Sequence, residues 1–141
     1  MFIKIKGKSK IAYLPMTAST AVSNGALAAW SSGTLIPATS TTASYNIAGV
    51  FRKTIAATDS DYTVAGRLVP VEVPLEKNCL YEADVTSGLV AGDKGAYCDM
   101  TNSLTVNRAA STYDVVKCEK VISGTKGIFS LNIGTDAAVK A

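Results

Sequence analysis

Histidine is absent from the 141 residues. No other side chain has an unperturbed pKa near neutrality, so Ser-His, Cys-His and His-metal mechanisms are excluded together, and the composition weighs against an enzyme. Cysteine is scarce. Cys79, Cys98 and Cys118 are odd in number and widely spaced, which fits reduced, partly buried thiols rather than a disulfide framework. Without a C-x-x-C pair or a fourth ligand, zinc has no site, and no metal is expected. Charged residues make up only 18% of the chain against 48% hydrophobic, too little charge for disorder and enough apolar surface for one core. No run approaches the roughly 18 apolar residues of a membrane span, and lysines interrupt the opening stretch where a signal peptide would be continuously apolar. The sequence therefore reads as a soluble, intracellular protein with no membrane partner.

What is present favours short strands and turns over long helices: Ser and Thr together number 28, Ala 20 and Val 13, with Glu only 4. The opening alternates, with Ile3, Ile5, Gly7, Ser9 and Ile11 on one face of an extended segment and Lys4, Lys6, Lys8 and Lys10 on the other. Four lysines on one side mark either a solvated edge strand or an arm awaiting a partner. Turn signals at Ser23-Asn24-Gly25 and Ser31-Ser32-Gly33 enclose a short apolar strand from Ala26 to Trp30. Strand-like text follows at 46–56, 61–64 and 67–75. In the last of these, Val69, Val71, Val73 and Leu75 form a buried face, while Pro70 and Pro74 predict an edge position.

The carboxy-terminal half predicts strands at Cys79–Val85, Gly95–Asp99, Ser103–Asn107, Asp114–Ile122 and Gly127–Ile133, with Val116, Cys118 and Ile122 on a core face. A helical turn is expected only at Arg108–Tyr113. The pattern predicts an all-β fold, a small β-barrel or sandwich of about ten short strands with an extended N-terminal arm. Residues 1–14 would be the arm or an edge strand, 15–134 a single β domain, and 135–141 a flexible tail.

The motifs that carry chemistry fail one by one. The cluster Thr58-Asp59-Ser60-Asp61 starts like a calcium loop, but Val64 replaces the turn glycine and Pro70 the distal glutamate. Ser123-Gly-Thr-Lys126 fits S-x-x-K, yet its glycines make a tight turn where that motif needs a helix start. Neither phosphate-cradling glycine motif is present, so no nucleotide cofactor is expected. Glu72 and Glu76 flank Pro74 near a strand end, a solvated rim rather than a catalytic pair. The net charge of +3, from 14 basic against 11 acidic residues, falls short of a nucleic-acid binder, and the aromatics do not interleave with the amino-terminal lysines.

In Val22-Ser-Asn-Gly25, Gly33-Thr-Leu-Ile-Pro-Ala-Thr39, Ile47-Ala-Gly-Val50, Val69-Pro-Val-Glu-Val73, Ala83-Asp-Val85 and Gly92-Asp-Lys-Gly95 the chain resembles the small β-barrel head-decoration, or cement, proteins of tailed bacteriophages. The similarity spans roughly residues 11 to 133 and lies in general texture: a Ser/Thr/Ala-rich start, an Ile-Ala-Gly-Val strand, and Gly-Asp turns before short strands. It implies a non-enzymatic virion protein, made in the bacterial host cytoplasm, that binds the capsid exterior through the major capsid protein. It also implies a homo-oligomer, with a trimer favoured, and an arm reaching onto the coat. Under that resemblance Phe2, Ile3, Lys4, Ile5, Lys6, Lys8 and Lys10 are the candidate partner-binding residues, the apolar ones buried on the coat and the lysines facing acidic surface. Two other expectations stand beside it: a tail-tube or head-fibre β-module, whose partners are further copies of itself, and a carbohydrate-binding β-module. The last would require an exposed aromatic platform, for which Trp30 and Tyr45 are the candidates.

Overall fold

The computed structural model describes residues 1–133, so the tail predicted for 135–141 lies outside the described residues. Eleven strands follow in order: β1 (Ile3–Lys6), β2 (Ser9–Pro15), β3 (Leu27–Ser31), β4 (Thr34–Pro37), β5 (Ile47–Phe51), β6 (Leu68–Pro74), β7 (Leu80–Val85), β8 (Tyr97–Met100), β9 (Thr105–Asn107), β10 (Val116–Ser123) and β11 (Lys126–Leu131). Single 3-10 turns occupy Ser44–Asn46 and Ala91–Asp93. The fold is all-β, as the short alternating segments predict.

One sheet runs β1-β7-β11-β10-β8-β9, and β9 also pairs in parallel with β7. That extra pairing closes β7, β11, β10, β8 and β9 into a five-stranded barrel, while β1 takes the remaining length of the same β7 edge. The second sheet runs β2-β6-β5-β3-β4, and a parallel bridge from Met16 to Leu35 draws the end of β2 back toward β4.

Alternation in β3 and β5 sends side chains into two cores. Leu27, Ala29, Ile47 and Val50 join a cluster with Tyr81, Cys98, Cys118 and Phe129 of the barrel. Ala28, Ala48 and Phe51 join Leu14, Leu35, Val69, Val71 and Val73 in the other. These central strands are small-residue-rich because both faces are covered and a neighbour packs on each. A Cβ at Gly49 would lie 2.2 Å from the Glu72 carbonyl oxygen, so glycine is what lets β5 approach β6.

Four sequence expectations are corrected. β6 is not at an edge but lies between β2 and β5. Its prolines are tolerated because they sit at the margins of the β5 ladder, which pairs Val71 and Glu72: Pro70 still accepts from Arg52 N–H through its carbonyl and lacks only the return donor, and Pro74 lies past the paired residues. The 61–64 segment is a turn rather than a strand, pinned by the buried Arg67 guanidinium, which donates to the Asp61 and Tyr62 carbonyls. Arg108–Tyr113 forms no helical turn, because the buried Asp99 carboxylate accepts the N–H groups of Thr112, Tyr113 and Asp114 in an open loop. In β10, Val116 and Cys118 face the core, but a register shift after Cys118 turns Ile122 outward.

Candidate functional site

The amino-terminal segment is two strands of different sheets rather than one arm. Gly7, at φ +96°, turns the chain between β1 and β2, and a Cβ there would meet the Cys79 Cα at 2.4 Å. This breaks the single lysine face that alternation predicts. Phe2 is fully buried in the barrel-side core, so its assignment as a partner-binding residue is corrected. Both its backbone groups are also engaged internally: its N–H donates to Gly25 O at 2.7 Å, and its carbonyl accepts from the Arg52 guanidinium at 2.9 Å.

The buried Phe2 sets the phase of β1. Lys4 lies opposite Tyr81 on the inward side, and Ile3 lies opposite Glu82 on the outward side. The isoleucine face expected to be apolar contact surface is therefore half-exposed, and Lys4 is the residue turned inward. Its ammonium donates to Ser9 Oγ at 2.8 Å and stands 3.9 Å from Glu72. Ser9 directs its own hydroxyl proton to Glu72 at 3.1 Å, and Arg52 grips the other carboxylate oxygen at 2.5 Å. Glu72 thus unites β1, β2, β5 and β6 at the seam between the sheets, and Lys8 N–H bonds to Glu76 at 2.8 Å. Beside this seam, burial first and then the hydrogen bond from Cys79 push the Tyr81 hydroxyl well above its usual range, so it stays neutral.

What the segment does expose is the outer edge of β2. Tyr13 pairs with Pro70, and the Pro70 carbonyl accepts from Arg52 N–H at 3.0 Å on the β5 side. The main-chain groups of Lys10, Ala12 and Leu14 therefore turn to β6, while those of Ser9, Ile11 and Tyr13 turn away from it. Leu75 N–H donating to Lys8 O at 2.9 Å obeys the same alternation. Among the described residues nothing pairs with this row. Its side chains share a face with Leu68 of β6, and Ile11, Tyr13 and Leu68 are 51%, 65% and 64% exposed. Lys8 and Lys10 alternate with this row along the chain and are exposed, Lys10 with its side chain on the opposite face, beside Val73. An open strand edge thus lies beside exposed apolar side chains, a geometry to which an extended segment can add main-chain hydrogen bonds.

Of the predicted site residues, Lys8 and Lys10 are exposed at the β2 end of the segment, Ile3, Ile5 and Lys6 are exposed on β1 of the other sheet, Lys4 turns into the seam and Phe2 lies in the core. Tyr13 and Leu68 belong to the face, and sequence reasoning misses them. Their signal is a large apolar side chain at the parity opposite Leu14 and Val69. The remaining motifs find structural roles: Ser123 and Lys126 close the β10–β11 hairpin, and Asp59 accepts the Ala56 N–H within a turn. Among the described residues no cluster of metal-ligating side chains occurs, and no helix is long and apolar enough to cross a membrane.

These features define an all-β protein with a closed five-stranded barrel. No protein-family model matches the chain, and no curated protein sequence shows significant similarity to it.

Proposed function

We propose that this chain is a structural virion protein that binds the outer surface of a bacteriophage capsid and stabilises the shell. The observation that carries it is the unpaired β2 edge at Ser9, Ile11 and Tyr13, set beside the exposed Ile11/Tyr13/Leu68 face. The sequence resemblance to head-decoration proteins and the lack of a catalytic inventory support the same reading. Docking takes place through β2 rather than through a free arm, since Phe2 is spent on the chain's own core. The major capsid protein supplies a strand to that edge. Main-chain hydrogen bonds give affinity and the apolar face gives burial.

Lys6, Lys8 and Lys10 meet acidic coat surface. Each rim charge is worth about 0–1 kcal/mol, so they steer and register the contact while burial holds it. An oligomer, with a trimer favoured, presents several such edges at once and converts modest contacts into avidity. Co-sedimentation with purified expanded capsids tests this. Saturable binding is expected, and failure to co-sediment with intact shells overturns it.

A further inference from the structure

A second surface lies away from the β2 edge. The end of the β3–β4 hairpin, the 39–46 loop and the Asp99-held loop enclose a cleft of about 290 Å³. Trp30, Tyr45 and Tyr113 line it, one from each of these segments. Trp30 packs against one core cluster and Tyr113 against the other, so both rings are held in place by the fold. Tyr45 is different. It sits on the 3-10 turn Ser44–Asn46, which buries none of its residues, and is 69% exposed, so core packing does not explain a large ring there.

The Thr39–Thr42 part of the lining is hydroxyl-rich and pre-set. Thr42 Oγ1 accepts the Thr39 N–H at 2.8 Å, and Thr39 Oγ1 lies 3.2 and 3.3 Å from the Thr42 and Thr41 hydroxyls. No acidic or basic side chain lines the cleft. Aromatic faces accept the C–H face of a pyranose ring, fixed hydroxyls meet its hydroxyl groups, and a charge-free lining selects against anions and cations. A volume near the lower limit of ligand pockets, roughly 300 Å³, suits one or two sugar rings.

We infer that this cleft is a binding site for a neutral saccharide, with Tyr45 as the exposed stacking platform and the Thr39–Thr42 loop as its polar wall. The site is independent of lattice attachment, so it holds or falls separately from the β2 edge. Trp30 is the chain's single tryptophan and lines the cleft, which makes its fluorescence a direct reporter. The protein is titrated with glucose, galactose, mannose and N-acetylglucosamine, each as monomer and short oligomer, and with a sialylated and a sulfated glycan.

A saturable shift in Trp30 emission with at least one neutral sugar is expected. Amide resonance shifts should be confined to Thr39–Asn46 and the strands beside it. Tyr45→Ala should weaken binding roughly tenfold with an unchanged melting temperature. Absence of any emission or resonance change up to the millimolar range, binding confined to the charged glycans, or unaltered affinity in Tyr45→Ala overturns the inference.

Discussion

Asp99 is an acid in a buried strand whose two oxygens receive three consecutive main-chain N–H groups from Thr112, Tyr113 and Asp114. Removing the carboxylate leaves those three donors of a part-buried loop without their acceptor, so Asp99→Ala should cost about 2 kcal/mol in urea unfolding. A loss under about 0.5 kcal/mol would show that the loop is held by something else. The cysteines are legible from number and spacing alone as buried and unpaired. Burial is the largest cause raising all three thiols, and it pushes Cys98 up to about 11 from an ordinary 9.0. A raised folded-state pKa means that the unfolded chain loses its proton first. Stability is therefore independent of these thiols below about pH 9 and falls as pH rises through about 11. Urea midpoints measured across that window should decline, with Tyr81 adding in the same direction. A Cys98→Ala variant should decline less steeply, and an identical slope would remove Cys98 as a cause.

The strands at the amino terminus show how an element's phase is decided. The Ile/Lys alternation is plain in the sequence, but alternation alone does not say which face is buried, and here Phe2 decides it. Phe2→Ala should cost about 4 kcal/mol by calorimetry or denaturant, whereas Ile3→Ser and Ile5→Ser should stay within about 0.5 kcal/mol. Equal penalties would mean that the isoleucines are the anchors after all. Val69, Val71 and Val73 are readable as a core face because each lies at period two with nothing polar among them. The position of β6 is not, because a proline reveals a missing donor without excluding a neighbour that bonds to its carbonyl alone, as Arg52 does at Pro70. Gly49→Ala should be strongly destabilising, since its Cβ would collide with main chain of β6 rather than with a yielding side chain.

For the molecule as a whole, strand count and class follow from turn signals and apolar periodicity. The pairing that closes the barrel does not, since β7 gives one edge partly to β1 and partly to a parallel β9 far along the chain. The exposed face is hidden for the same reason: Tyr13 and Leu68 become neighbours only through the β2–β6 register. On that face, Ile11→Pro removes an outward N–H and spares the ladder to β6, so it should lower capsid occupancy while leaving the melting temperature within a few degrees. Undiminished occupancy in that variant would take the β2 edge out of the attachment.

The most direct measurement is a cryo-EM reconstruction of the virion that carries the chain. Copies are predicted on the outer shell, with main chain of Ser9–Tyr13 paired to a strand of the coat and Tyr13 and Leu68 covered. Copies absent from the shell, or seated with that edge facing solvent, would contradict the proposal.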